Sequence, residues 1–312
     1  MLTPKRIYHG IKRRVLRSIQ KYQPKIYADY LYYRSFGKHI NWEQPEDLNQ
    51  WINWLAFNTD TSQWSMLADK YAVRKYVAEK GFENALVPLL AIWDKPDEIT
   101  FDKLPSKFVL KINNGSGDVL IIRNKENADL QGIKLYFKSL FHHPFGIDTA
   151  EPHYQRIKPK IIAEPLLEDA TDKASNSSLI DYKFWCFNGV PYWCFVCSAR
   201  TREHLTIDLY SADEKWERLE NGNLDYPPHY KKALNETERP RALTKMLNIV
   251  SKLSIGLPQV RIDLYEVNNQ IYFGEMTMTS AAGRMEYFTE SALKEMGKLC
   301  KDACGKLCMM CL

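Results

Sequence analysis

The chain has 312 residues, 45% of them hydrophobic, enough to bury a large core organised as two or three lobes packed as one unit. Its formal net charge is +5, but residues 1–25 hold eight basic residues (Lys5, Arg6, Lys12, Arg13, Arg14, Arg17, Lys21, Lys25) and no acid, leaving 35 basic against 38 acidic residues elsewhere. So local an excess argues against nucleic acid as the main partner, and no apolar run is long enough for a signal sequence or a span, so the bulk of the chain is expected to be cytoplasmic.

In chain order, Ile7, Ile11, Val15 and Ile19 recur every four residues through the basic start and predict an amphipathic helix with a cationic face. Such a helix can lie on an anionic leaflet, each nearby cation adding ~1 kcal/mol, or can dock on the body with its basic side in solvent. Residues 41–103 read mostly as helices, one of them opened by Asp69-Lys70, with a short strand near Leu86 to Ile92. Phe108–Ile112 is an apolar strand carrying Lys111, and it runs into a loop with Gly115, Ser116 and Gly117 before a second apolar run, Val119–Ile122. The glycines allow backbone N–H groups to approach an anion and the lysine can neutralise it, although a plain turn has the same composition and the P-loop pattern is absent. His142-His143, before Pro144, falls in a loop and has no serine or cysteine partner in view.

Lys160–Leu167 is an apolar strand ending in Glu164-Pro165, then Leu166, Leu167 and the acids Glu168 and Asp169; its backbone can meet an adenine edge and its acids a ribose. Asp181–Phe187 and Pro191–Cys197 flank Asn188-Gly189, a strong hairpin signal. Lys183 stands among apolar neighbours there and needs a counter-charge or a solvated cleft, unless it snorkels from a sheet edge. Residues 198–240, with Arg200, Arg202 and Pro227-Pro228, read as irregular loops able to shape an acceptor pocket. Residues 241–255 give a helix with Leu243, Met246, Val250 and Leu253 on one side. A last hairpin, turning at Asn268-Asn269, sets Arg261 and Asp263 on one strand and Glu275 and Thr277 on the next. Two carboxylates on one face suffice for a nucleotide-bound magnesium ion, whose remaining ligands are phosphates and water; a cross-strand salt bridge is the plainer reading.

Cys186, Cys194 and Cys197 fall in the aromatic hairpin and read as small core residues. Cys300, Cys304, Cys308 and Cys311 continue Leu293, Met296 and Leu299 as one helical stripe, a reading preferred over the iron–sulfur spacing that Cys304, Cys308 and Cys311 also match.

The order of these parts resembles the ATP-grasp superfamily, and more closely its TupA-like branch, named for teichuronopeptide biosynthesis and met among bacterial surface-polysaccharide genes. The closer likeness is carried by Leu67–Val77, Leu104–Gly117, Asp181–Gly189, Arg261–Tyr265 and Tyr272–Thr277. The resemblance implies an α+β ATP-grasp fold of two antiparallel-rich lobes clasping ATP: a basic N-terminal helix region (1–40), a reduced helical substrate lobe (41–103), a small lobe with the glycine loop (104–168) and a central lobe with the metal site and C-terminal helix (169–312). It also implies that Lys70, Lys111 and Lys183 contact phosphates, and that Gly115, Ser116 and Gly117 form a lid. Glu164, Leu166 and Leu167 would hold adenine, and Glu168 or Asp169 the ribose. Arg261 would stabilise the transferring group, with Lys183 as its catalytic partner, and Asp263, Glu275 and Thr277 would hold magnesium. Thr277 departs from the usual asparagine, and the segment Thr279–Gly283 is longer than the usual form. The activity implied is an ATP-dependent carboxylate–amine ligase acting through an acylphosphate, joining an amino compound to a uronic acid of a small-molecule or lipid-linked glycan on the inner face of the plasma membrane. A glycosyltransferase, against which stands the absence of Asp-x-Asp, a sugar or lipid phosphotransferase, and a non-catalytic nucleotide-binding module, for which Thr277 speaks, are the alternatives.

Overall fold

The strands form two antiparallel-rich sheets, and short asparagine turns fix two hairpins of the larger one. The computed structural model describes residues 15–168, 179–200 and 203–310. Its helices are α1 (residues 15–22), α2 (Pro24–Phe36), α3 (Leu48–Asn58), α4 (Ser62–Ala68), α5 (Val73–Glu79), α6 (Leu130–His142), α7 (Pro152–Gln155), α8 (Leu243–Ser254) and α9 (Glu290–Met310). The smaller sheet joins β1 (Ala91–Trp93), β2 (Phe108–Ile112), β3 (Val119–Ile122) and β4 (Ile161–Pro165) in the order β1-β4-β2-β3. Phe108, Leu110 and Ile161 pack there with Ile133 and Phe137 of α6, each fully buried side chain contributing ~1.5–3 kcal/mol.

The larger sheet has the order β10-β9-β5-β6-β7-β8, with β5 (Asp181–Phe187), β6 (Val190–Ser198), β7 (Leu205–Ser211), β8 (Tyr230–Lys232), β9 (Val260–Val267) and β10 (Gln270–Thr277). Its two main hairpins close through left-handed residues, Asn188 and Gly189 in one, Asn268 and Asn269 in the other, where asparagine and glycine bear positive φ at least cost. Helix α8 packs on β5, β6 and β9, while α9 lies against β5 and α3. Leu48 and Ile52 of α3, Leu67 of α4, Val73 of α5, Met246 and Val250 of α8 and Met296 of α9 all join the larger sheet's core. Helices α3 to α5 are thus part of the central packing. Asp47 caps α3 by accepting from Gln50 N at 2.9 Å, and its backbone presses on α9 at Gly297, where a Cβ would come within 2.7 Å.

Four readings of the sequence need correction. Residues 198–240 are not simply loops: β7 pairs with β6, and β8 pairs in parallel with β7 at the sheet edge. Polarity hid β7, because Asp208 is buried at its centre with Arg218 at 3.0 Å as counter-charge. The early strand is Ala91–Trp93, an edge of the small sheet, while Leu86 makes only an isolated parallel bridge to Phe273. His142 is the last residue of α6 rather than a loop residue. The cysteine stripe turns outward along α9, Cys300 being buried, Cys304 half-buried and Cys308 exposed; Cys311 lies outside the described residues.

Of the basic start, only α1 is described, and Ile7 and Ile11 lie outside it. Gln20 Nε2 of α1 donates to Asp148 Oδ1 at 2.7 Å, docking this end on the body. No described helix is long and apolar enough to cross a membrane.

Candidate active site

Strand register alone brings six side chains onto one patch. Lys183 of β5 is paired with Asp263 of β9, and Asp263 with Glu275 of β10. Two residues along, Trp185 is paired with Arg261 and Arg261 with Thr277. Because side chains alternate across a strand, these two rows of three share one face. Glu275 reaches it only through a bulge: the register skips between Phe273 and Glu275, leaving Gly274 unpaired. Without that extra residue, Gly274 rather than Glu275 would oppose Asp263. The bulge also needs glycine, since a Cβ at Gly274 would lie 2.8 Å from Tyr265 Cε2 and 3.1 Å from Asp263 O.

The patch is densely ion-paired. Arg261 donates from Nε to Asp263 Oδ1 at 2.7 Å and from Nη2 to Asp263 Oδ2 at 2.8 Å and Glu275 Oε1 at 2.9 Å, and its guanidinium stands over the Trp185 ring at 5.9 Å. Lys183 donates to Asp263 in a short charge-assisted bond and lies 3.5 Å from Asp181. Lys70, which follows α4, joins them, its ammonium 2.5 Å from Gly115 O and 3.4 Å from Glu275. Burial alone would raise the Glu275 carboxyl, but Lys70, Arg261 and Lys183 outweigh it and hold the group down at about 2. Burial likewise works against a charged Lys183, yet Asp263 and Asp181 carry it above the ordinary lysine value.

A second cluster lies on the small sheet. Lys111 of β2 donates to Glu164 of β4 at 2.6 Å, and Arg74 of α5 comes within 3.6 Å of the other Glu164 oxygen. Asn113 ties this sheet to the helices: its side chain donates to Asp69 at 2.8 Å and to Lys158 O at 3.1 Å and accepts from Lys160 N at 2.7 Å. Its carbonyl accepts from Lys70 N at 3.0 Å. That knot sets Lys70 beside the glycine loop, whose Gly115 is buried while Ser116 and Gly117 are exposed.

As for a metal, the described residues contain no group of three or more His, Cys, Asp or Glu side chains that could hold an ion. Asp263 and Glu275, with the Thr277 hydroxyl 3.3 Å from Glu275, therefore fit an ion that arrives with further oxygens on a ligand. Residues 50–301 match the family described as TupA-like ATPgrasp. The chain belongs to the TupA-like ATP-grasp family. No curated protein matches it. Among solved structures it is similar to D-alanine–D-alanine ligase from Bacillus anthracis, at 12% identity over 78% of this chain and 68% of that one, TM-score 0.44. The corresponding enzyme from Helicobacter pylori gives 13% identity, 76% and 61% coverage and a TM-score of 0.41. The ATP-grasp ligase PsnB, complexed with a minimal precursor, gives 8% identity, 80% and 62% coverage and a TM-score of 0.42.

Within this ATP-grasp chain, the residues expected from sequence fall into three groups. Lys70, Lys183, Arg261, Asp263, Glu275 and Thr277 meet on the larger sheet, joined by the Gly115 carbonyl. Lys111 and Glu164 pair on the smaller sheet, and Leu166 and Leu167 follow in the connecting segment. Glu168 closes that segment, bound by Lys107 at 2.8 Å and approached by Arg123 at 3.7 Å, with its carbonyl accepting from Asn268 at 3.4 Å. Asp169 lies outside the described residues. Asp181, Arg74, Asn113 and Gly274 were not singled out as site residues. Asp181 sits two residues before Lys183 and so shares its face, a signal that was present; Asn113 and Gly274 become visible only once register and turn geometry are known.

Proposed function

We propose that this ATP-grasp protein is an ATP- and magnesium-dependent carboxylate–amine ligase working through an acylphosphate. The observation that carries the reading is the two-row patch, where Lys183, Arg261 and Lys70 converge on two carboxylates beneath the glycine loop. Asp263 and Glu275 would hold the ion, which neutralises phosphate charge when bound. Lys183 and Arg261, then drawn from the carboxylates toward the phosphates, balance charge on the transferring phosphoryl group. Lys111 and the backbone N–H groups from Gly115 to Gly117 cover the phosphates, and the segment from Glu164 to Glu168 borders adenine and ribose. The substrate carboxylate oxygen takes the γ-phosphoryl group and ADP leaves; an amine then attacks the acyl carbon, phosphate departs, and the amine's proton passes to solvent. Positioning and charge neutralisation suffice for this, and no protein nucleophile is required.

The finer reading is a ligase of bacterial surface-polysaccharide assembly that joins an amino compound to a uronic acid. Incubation with ATP, magnesium, candidate uronates and amines tests it: ADP, phosphate and an amide product are expected. ADP with a phosphorylated sugar would make it a kinase, and sugar-nucleotide loss without ATP turnover a transferase. Attachment to the inner membrane face through residues 1–25 belongs to the same proposal and rests on their eight cations. Equal flotation with anionic liposomes of the full chain and of one lacking residues 1–25 would remove it.

A further inference from the structure

Both oxygens of the proposed metal ligand Asp263 are already taken. Its Oδ1 accepts from Arg261 Nε at 2.7 Å, and its Oδ2 accepts from Arg261 Nη2 at 2.8 Å and from Lys183 Nζ. A magnesium ion needs the same lone pairs, so the cations on Asp263 have to step aside before it can bind. Asp263 is 1% exposed and the Lys183 side chain 13%, so a lysine that left this carboxylate for nothing would be a desolvated charge without a counter-ion. The site opens at least cost where a second anion stands within reach.

The three cations of the patch differ in this respect. Among the described residues, the carboxylates within 4.0 Å of Arg261 are Asp263 and Glu275, and the one within 4.0 Å of Lys70 is Glu275, all of them proposed metal ligands. Of the three, only Lys183 has a carboxylate outside that pair: Asp181 Oδ2, 3.5 Å from its Nζ. Asp181 stands two residues earlier on β5 and therefore on the same face. It is 7% exposed, and its Oδ1 has no hydrogen-bond partner among the described residues, although the Tyr265 side chain stands close enough for the two groups to feel each other. Arg200, which follows β6, donates to Oδ2 at 3.0 Å and anchors the carboxylate from outside the patch. A nearly buried carboxylate with an unused oxygen, beside a lysine that has to move, is an acceptor set out for it.

We infer that Asp181 is a positioning residue that receives Lys183 when magnesium takes Asp263. The ammonium is already 3.5 Å from its new partner, so the exchange is a turn of the lysine side chain among its own rotamers. Lys183 stays paired throughout, and Asp263 is released to the ion. This role rests on the proposed ATP and magnesium reading and adds the residue that lets the site open.

Calorimetric binding of a non-hydrolysable ATP analogue to the full chain, with magnesium present and with metal chelated, tests it. Asp181→Asn is expected to weaken binding of the magnesium complex at least about tenfold. The metal-free analogue should bind no more weakly than to wild type, since Lys183 need not leave Asp263 when no ion comes and one anion fewer faces the phosphates. In a Lys183→Met background, Asp181→Asn should change the affinity for the magnesium complex by less than about twofold, because no ammonium remains to be received. Asp181→Ser is expected to repeat the pattern, and circular dichroism checks the fold of each variant. Undiminished affinity for the magnesium complex in folded Asp181→Asn overturns the inference. An equal loss with and without magnesium does the same, marking a general structural role, as does a loss that persists in the Lys183→Met background, marking an action on the ion itself. Each of these leaves the ligase reading standing, whereas a wild type that binds no nucleotide in either condition removes that reading and this role together.

Discussion

Asp263 neutralises two cations at once while almost wholly buried, so its removal is felt in stability before catalysis. Asp263→Asn is expected to cost about 3–5 kcal/mol in urea unfolding, because Arg261 and Lys183 lose their shared counter-charge. Lys111→Ala is the cleaner test of chemistry. Its side chain, 27% exposed, meets buried Glu164 on the small sheet, and Arg74 at 3.6 Å remains as a counter-charge, so turnover should vanish in an ADP-release assay while stability falls by about 1–3 kcal/mol. Glu275 ties the site to pH. Its folded value of about 2 lies below the ordinary 4.5, so its contribution is complete above about pH 5 and fades as pH drops toward 2. The stability gap between wild type and Glu275→Gln should therefore narrow from about pH 6 to pH 3 in unfolding titrations; a constant gap would contradict the lysine and arginine pairing.

At the scale of elements, the bulge at Gly274 decides whether the second carboxylate faces the cleft. Gly274→Ala is expected to lose about 1–3 kcal/mol and most ATP affinity, measured by thermal unfolding and by nucleotide binding. This feature also marks where the sequence stops being readable. The hairpins at Asn188-Gly189 and Asn268-Asn269 were legible because turn residues carry their conformation locally. With the second came the placement of Arg261 and Asp263 on one strand and of Glu275 and Thr277 on the next, whereas the pairing of β5 with β9 that sets Lys183 opposite Asp263 was not read. The bulge was not legible, since glycine in a strand gives no sign of register. Nor was β7, where buried Asp208 mimics a loop until Arg218, ten residues away, is placed beside it. Strand β8 is three residues long and pairs in parallel with a distant partner, which no local pattern announces.

Across the whole molecule, the two charge clusters sit on different sheets, and their meeting depends on what lies between them. ATP with magnesium should raise the melting temperature of the chain by several degrees, by roughly RT ln(1 + [L]/Kd) in free energy, while adenosine should not. A differential scanning series over nucleotide and metal concentration checks this. An equal shift with adenosine would place recognition in the base alone and leave the cationic patch without its ligand.

The glycine loop adds a mechanical constraint. Only six residues, 113–118, separate β2 from β3, and Asn113 at their root is bound on several sides. A hairpin tip of that length extends about 10 Å at most. It is too short to sweep across an open cleft as a flap. On the proposed reading, closure over a nucleotide would therefore draw on the four-stranded sheet that carries Lys111 and the loop, rather than on the loop alone.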